Sequence, residues 1–311
     1  MSERSPIPAP GDGASGKPAS GSTMRDLGPR VLSAIVMVAL AFATLWAGGQ
    51  IYILAWLFVS CGALWEWQRL VGGAAQMARL FIGAAALAIT AAFSAGGSGD
   101  LALAVLVLAA AAILFIARKG SAPGMGASVN EPLAWPEAIL AAAGVLYAGA
   151  LLVSVLVLRL SLMQGVAAIL WLFAIVWGTD IVAYFAGRSI GGPKLWRRVS
   201  PSKTWSGFIG GVTGGAVAGT LLVYWLLPDA RAFWPWMFVF ALLLAILSQG
   251  GDLFESALKR RYDVKDSSNL IPGHGGIMDR LDGFTAAAIS AALVGAIRGG
   301  QINAADGLFS W

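Results

Sequence analysis

Long apolar segments separated by short polar connections constrain this sequence more than any other feature. A helix needs about 20 apolar residues to cross the hydrocarbon core of a bilayer. We place nine such segments, at about residues 31–48, 51–70, 80–96, 101–118, 138–158, 166–187, 207–227, 234–251 and 284–300. Only 12% of the residues are charged, whereas soluble domains carry about 25%. The predicted fold class is therefore an all-α, polytopic integral membrane protein with about nine transmembrane helices.

Composition divides the chain into three regions. Residues 1–23 are rich in Pro, Gly, Ala and Ser and predict a disordered cytoplasmic tail. Residues 24–160 form an amino-terminal transmembrane scaffold of about five spans. Polar residues gather in residues 161–311, which we interpret as a carboxyl-terminal catalytic region of about four spans.

The distribution of Lys and Arg predicts the orientation of the spans. If the amino terminus is cytoplasmic, all of the 21 basic residues except Arg159, Arg231 and Arg298 lie on the cytoplasmic side, as the positive-inside rule requires. The sequence thus predicts a multi-pass protein of the inner (plasma) membrane with its polar clusters facing the cytoplasm. Glu66 lies between two tryptophans, which suit the membrane interface, so its carboxylate is expected to reach water.

The first polar cluster begins with Asp180, inside an apolar segment. A charge at that depth costs about 2.5–3.5 kcal/mol, so it usually faces a polar cavity or a partner. An Arg that pairs with Asp180 for packing is the alternative. The glycine-rich, basic residues 187–194 follow, and freed backbone amides beside cations can bind an anion. A plain cytoplasmic loop would also explain these residues.

The second cluster is the run Ser-Pro-Ser-Lys-Thr-Trp at residues 200–205. Ser202 and Thr204 can cap a helix that starts near Ser206, and a helix amino terminus beside Lys203 suits phosphate. The run lacks the spacing of a Walker loop. Glycines at 207, 211 and 215 equally predict a helix-packing stripe.

The third cluster holds two acidic pairs at i, i+3 spacing, Asp252 with Glu255 and Asp279 with Asp282. Each pair should share one helix face, and Lys259 extends the first face by a turn. A Pro-Gly-His-Gly-Gly turn at 272–276 separates the pairs and admits close backbone approach to a ligand. Surface salt bridges in a cytoplasmic loop are the alternative explanation.

Carboxylates beside many cations suit the chemistry of phosphates and hard metal ions. Mg²⁺ takes one or two carboxylates together with substrate phosphates and water. The sequence has one Cys and one His, too few for the usual zinc site. Phosphoryl and nucleotidyl transfer require mainly positioning and charge stabilisation, which this cluster could supply.

The third cluster resembles the signature of the phosphatidate cytidylyltransferase family. That signature reads Ser-x-apolar-Lys-Arg, four residues, Lys-Asp, a small residue, apolar-Pro, His-Gly-Gly and Asp-Arg-apolar-Asp. The matching residues are Ser256, Leu258, Lys259, Arg260, Lys265, Asp266, Ser268, Ile271, Pro272, His274, Gly275, Gly276, Ile277, Asp279, Arg280, Leu281 and Asp282. Position 268 is Ser where Gly is commoner. The first two clusters also look like family elements, so the resemblance covers about residues 166–300.

The resemblance implies a reaction of CTP with phosphatidate that gives CDP-diacylglycerol and pyrophosphate. It implies Mg²⁺, with K⁺ as a second ion beside it, at a metal centre of Asp252 and Asp279. By motif position, the catalytic residues are Lys259, Asp279, Asp282 and His274. The phosphate-binding residues are Ser202, Lys203, Lys259, Arg260, Lys265 and Arg280, with support from Asp180, Glu255 and Asp266. His274 suits a turn or a phosphate ligand better than a general base, because the lipid phosphate is already largely ionised.

These residues and this resemblance predict the binding partners of the protein and leave two alternative functions. The expected partners are CTP, phosphatidate and the bilayer, with no nucleic acid. Glycine-rich spans can pack within one chain or between two, so a homodimer is a further expectation. A CTP-dependent kinase of a polyisoprenoid alcohol would share the nucleotide and the metal. A transporter or channel would use Asp180 and the third cluster as an ion path.

Overall fold

The computed structural model describes residues 24–73, 75–119 and 132–310. These ranges contain nine helices that are long and apolar enough to cross a membrane. They are α1 (Met24–Ala47), α2 (Gly49–Val71), α3 (Gln76–Ala95), α4 (Gly99–Lys119), α5 (Trp135–Arg159), α6 (Gly165–Ser189), α7 (Trp205–Leu226), α8 (Trp234–Arg261) and α9 (Met278–Gly299). The predicted all-α, polytopic membrane fold with nine spans is confirmed. The predicted disordered tail, residues 1–23, lies outside the described residues.

Within the described residues, a β-hairpin, a 3₁₀ turn and a short tenth helix complete the fold, and the prediction lacked all of them. Strands β1 (Lys194–Trp196) and β2 (Ser200–Thr204) form an antiparallel hairpin between α6 and α7. A 3₁₀ turn spans Pro228–Phe233, and α10 (Ala304–Phe309) packs against α9 after the last span. The strands are only three and five residues long, so apolar patterning gives no clear signal for them.

Apolar residues cover both the inside and the outside of the bundle. Leu64 on α2, Leu151 on α5, Leu172 on α6 and Leu244 on α8 are fully buried inside the bundle. Helix α1 instead exposes large apolar residues such as Leu32 and Ile35, which are 64% and 60% exposed. Lipid is the solvent that suits such a surface.

Helix α7 packs along α6 through its glycines, as the predicted packing stripe requires. A Cβ atom added at Gly211 would lie 2.7 Å from the carbonyl oxygen of Thr179. One added at Gly215 would lie 2.0 Å from Thr179 Oγ1 and 2.6 Å from the carbonyl oxygen of Ile175. Glycine therefore lets the two backbones approach, which positions Asp180 on α6 beside the start of α7.

We expect Gly215→Ala to destabilise the protein by about 1–3 kcal/mol, the usual cost of overpacking a core. The Ile175 carbonyl is backbone and cannot rotate away. Thermal unfolding in detergent measures the change. The matched control is Gly250→Ala in α8, where an added Cβ meets nothing within 4 Å. An equal loss of stability in both variants would contradict the packing role.

Helices α8 and α9 also approach closely, and this contact builds the site. A Cβ added at Gly251 would lie 2.5 Å from the carbonyl oxygen of Asp282. Helix α8 continues to Arg261, beyond the predicted span end at 251, so Asp252, Glu255 and Lys259 lie on one continuous helix. Helix α9 starts at Met278, which places Asp279 and Asp282 in its first turns, as predicted. The two acidic pairs therefore lie on adjacent helices.

Candidate active site

A cavity of about 360 Å³ lies between α6, the β1–β2 hairpin, α7 and α8. Its polar lining includes Asp180, Arg188, Lys203, Gln249 and Asp252. The first two clusters thus meet the start of the third in one place. Asp180 lines this cavity, which is consistent with a charged residue within an apolar span.

Lys203 connects the hairpin to α8 inside this cavity. Its Nζ lies 2.5 Å from Asp252 Oδ2 and donates a 3.0 Å hydrogen bond to Gln249 Oε1. Gln249 Nε2 in turn donates to Asp180 Oδ1 at 3.5 Å. Residues of β2, α6 and α8 therefore place the Lys203 ammonium beside the carboxylates of Asp252 and Asp180. The cavity that they line can admit a charged ligand.

The amino terminus of α7 opens into the same cavity. Thr204 is the N-cap, and its side chain accepts a 3.1 Å hydrogen bond from the Gly207 amide. The helix begins at Trp205, one residue before the predicted start. Ser202 lies on β2 and lines the cavity instead of capping. A helix amino terminus favours negative charge, so this end of the cavity suits a phosphate.

Lys259 lies between the two acidic pairs. Its Nζ is 2.5 Å from Asp279 Oδ1 and 3.3 Å from Glu255 Oε1. The Glu255 and Asp279 side chains are only 1% and 3% exposed. A buried carboxylate without a counter-charge is costly, so Lys259 stabilises both acids and fixes the distance between α8 and α9.

The second oxygen of Asp279 is held by the loop that precedes α9. Oδ2 accepts hydrogen bonds from the Ser267 amide and hydroxyl, both at 2.9 Å, and from the Gly276 amide at 2.8 Å. Oδ1 is the oxygen that faces Lys259. The carboxylate therefore has a fixed rotation, with one oxygen committed to the loop.

Three carboxylates share the region where α6, α8 and α9 meet. The carboxylates of Asp252 and Asp180 both repel that of Asp282. Asp252 also repels Asp180. Asp252 forms an ion pair with Lys203, and the positive charge of Arg280 attracts the Asp180 carboxylate. Because like charges repel, either a bound cation or a proton on one of these carboxyl groups would reduce the repulsion.

The residues fit a magnesium ion in part. Across the described residues, no group of three or more His, Cys, Asp or Glu side chains converges on one point. Mg²⁺ needs only one or two carboxylates when phosphates supply further oxygens, and Asp252 beside Asp282 meets that need. Asp279 makes four contacts already, so a metal at its Oδ1 would share that oxygen with Lys259. The metal centre of Asp252 and Asp279 stays a prediction.

Other predicted residues lie around this centre. Arg260 donates a 3.1 Å hydrogen bond from Nη1 to the Val264 carbonyl. Lys265 and Asp266 line a second cavity of about 720 Å³ at the end of α2, together with Arg69 and Tyr262. Burial raises the pKa of Tyr262 above its ordinary value. Of the predicted phosphate-binding residues, Ser202 and Lys203 therefore line the first cavity and Lys265 lines the second, whereas Lys259, Arg260 and Arg280 line neither.

His274 faces α1 in this structure. Its Nδ1 lies 2.7 Å from Ser33 Oγ, and its amide donates to the Ile271 carbonyl within the turn. These contacts support the expected turn role. Its predicted catalytic role stays a prediction.

The prediction for Glu66 was wrong. Its side chain is fully buried and does not reach water, and Trp67 is buried with it. Trp67 Nε1 donates a 2.7 Å hydrogen bond to the Leu140 carbonyl, so this face of α2 packs against α5 and not against lipid headgroups. Glu66 instead contacts the loop before α9.

Gln249 and Ser267 are site residues that the sequence analysis missed. Gln249 is a buried polar residue within an apolar helix, three residues before Asp252, which was a usable signal. Ser267 carries no such signal, because its role depends on contacts with α2 and α9.

Comparisons with known proteins agree with this site. Residues 28–297 match the model of the cytidylyltransferase family. A Brucella abortus protein named phosphatidate cytidylyltransferase is 41% identical over 274 residues, which cover 88% of this chain and 95% of that protein. A Bacillus subtilis protein of the same name is 45% identical over 120 residues, 39% of this chain and 44% of that protein. The resemblance predicted from the signature is confirmed, and the chain belongs to the cytidylyltransferase family, a family of CTP-dependent nucleotidyltransferases.

Proposed function

We propose that this protein is a phosphatidate cytidylyltransferase, which converts CTP and phosphatidate to CDP-diacylglycerol and pyrophosphate in phospholipid biosynthesis. The observation that carries the proposal is the Lys203–Asp252 and Lys259–Asp279 arrangement at the ends of membrane-spanning helices. The relatives that match most of the chain bear this name. A site at helix ends suits a substrate whose phosphate lies at the membrane surface and a second substrate dissolved in water.

The proposed reaction is an in-line displacement at phosphorus. A phosphatidate oxygen forms a bond to the α-phosphorus of CTP. The bond from that phosphorus to the bridging α,β-oxygen breaks, and pyrophosphate leaves with the electron pair. The lipid phosphate is largely ionised near neutral pH, so no strong general base is required. Two negatively charged groups must approach, so stabilisation of charge dominates the barrier.

Different residues are proposed to bind the triphosphate, to hold Asp279 and to bind the metal ion. Lys203 and the amino terminus of α7 offer positive charge inside the first cavity, where the triphosphate is proposed to bind. Lys259 holds Asp279 facing α8, and Asp252 and Asp282 offer the carboxylates for a Mg²⁺ ion, with K⁺ as a proposed second ion. When bound, Mg²⁺ would offset phosphate charge. We further propose that the active site faces the cytoplasm.

The identity of the lipid that accepts a group from CTP tests this proposal. Purified protein is incubated with Mg²⁺, CTP and one of three lipids: phosphatidate, diacylglycerol or a polyisoprenoid alcohol. Mass spectrometry of the lipid fraction then identifies the group that is added. We expect a cytidylyl group on phosphatidate and no product from the two alcohols. A phosphorylated alcohol would replace the proposal with a CTP-dependent lipid kinase.

A further inference from the structure

The buried carboxylate of Glu66 on α2 contacts the loop that precedes α9. Oε1 accepts hydrogen bonds from Ser268 Oγ at 2.6 Å and from the Ile277 amide at 2.8 Å. Oε2 accepts from Ser267 Oγ at 2.9 Å and from the Met278 amide at 2.8 Å. Four donors from one short segment therefore converge on a side chain that is about 200 residues distant in sequence.

Two of these donors belong to the start of α9. The first amides of a helix lack partners within the helix, and Ile277 at the N-cap position offers no side-chain cap. Glu66 supplies the missing acceptors from another helix, and its negative charge suits the positive end of the helix dipole. Glu66 thus fixes the point at which α9 begins, one residue before Asp279.

One of the two remaining donors, the Ser267 hydroxyl, connects Glu66 to Asp279. Ser267 Oγ lies 2.9 Å from Glu66 Oε2 and 2.9 Å from Asp279 Oδ2. A hydroxyl carries one hydrogen, so the two carboxylates share a single donor. A Cβ added at Gly276 would lie 2.1 Å from Ser267 Oγ and 2.4 Å from Glu66 Oε1. Gly276 is therefore packed closely against Ser267 and Glu66, and its amide also donates to Asp279 Oδ2.

We propose that Glu66 is a positioning residue for the transfer reaction, acting through Ser267 and the start of α9 to hold the rotation of Asp279. The inference rests on the proposed function. Glu66 fixes the loop, the loop holds Asp279 Oδ2, and Oδ1 is thereby directed at Lys259 in the site. An error of about 1 Å in such a group can lower a rate about 10²-fold.

The first test is Glu66→Gln. Its amide nitrogen cannot accept a hydrogen bond, so one pair of donors loses its acceptor. We expect kcat to fall about 10²-fold, as for a misplaced catalytic group, while KM for CTP stays near the wild-type value. A folded Glu66→Gln protein with wild-type kcat would overturn the proposal.

Hydrogen exchange supplies a readout that is independent of activity. The amides of Ser267 and Gly276 bond to Asp279 and not to Glu66. If Glu66 holds Asp279, these amides exchange faster in Glu66→Gln, while amides of the hairpin at 194–204 keep their wild-type rates. Unchanged exchange at residues 267 and 276 would show that Glu66 does not act on Asp279.

A pair of serine variants keeps the proposal testable if Glu66→Gln does not fold. Ser267 Oγ contacts both carboxylates, whereas Ser268 Oγ contacts Glu66 and the Leu270 amide. Ser267→Ala should therefore lower kcat more than Ser268→Ala does. Equal losses would overturn the proposal. If wild-type protein transfers no cytidylyl group, the proposed function fails, and hydrogen exchange still tests the link from Glu66 to Asp279.

Discussion

Asp279→Asn should lower kcat by about 10³-fold, the upper range for loss of one charged or hydrogen-bonding group from a preorganised site. The asparagine oxygen can still accept hydrogen bonds from the Ser267 and Gly276 amides. The amide nitrogen then faces Lys259, and the charge at that position is lost. We therefore expect a folded protein with an intact loop and little activity.

The matched control for this variant is Asp263→Asn. Asp263 is an exposed carboxylate shortly after α8, with a left-handed φ of 53°, which Asn also tolerates. Its activity should stay close to wild type. Label transfer from CTP into lipid measures both variants. An Asp279→Asn protein that is folded and fully active would remove Asp279 from the reaction.

Lys259→Met should produce the largest loss of stability, about 3–5 kcal/mol, as expected when one partner of a buried ion pair is removed. Glu255 and Asp279 would both be left buried without their shared cation. Activity should fall too, since Asp279 loses the contact that holds Oδ1. Thermal unfolding in detergent measures the stability.

Two further variants separate lost charge from lost packing. Lys265→Met removes an exposed cation and should change stability by less than about 0.5 kcal/mol, as surface substitutions usually do. Adding Glu255→Gln to Lys259→Met removes one uncompensated carboxylate, so the double variant should be more stable than Lys259→Met alone. A double variant that is no more stable would contradict the account, since contacting residues should couple.

Sequence patterns predicted the parts of this protein that depend on local spacing. Apolar length indicated nine spans, because each helix must cross the same thickness of hydrocarbon. The i, i+3 spacing placed Asp252 with Glu255 and Asp279 with Asp282 on shared helix faces, and the structure has both pairs on helices. The glycines of α7 predicted a packing stripe, and they meet α6.

Contacts between distant segments were not predictable in the same way. The tryptophans on both sides of Glu66 are typical of a membrane interface. The hydrogen-bond donors to Glu66 nevertheless come from residues 267–278. No local pattern in α2 indicates those partners. The hairpin at 194–204 was missed because it is short and makes its contacts through Lys203 and Thr204 to neighbouring helices. The separation of Lys265 from Lys203 into different cavities likewise depends on tertiary packing.

The most direct test of the central claim follows the two phosphate labels of CTP. Purified protein in detergent receives phosphatidate, Mg²⁺ and CTP labelled at either the α- or the γ-phosphate. The account predicts that α-label enters the lipid as CDP-diacylglycerol, that γ-label leaves as pyrophosphate, and that chelation of Mg²⁺ stops both. Transfer of γ-label to lipid, or no transfer of α-label by folded protein supplied with phosphatidate, would contradict it.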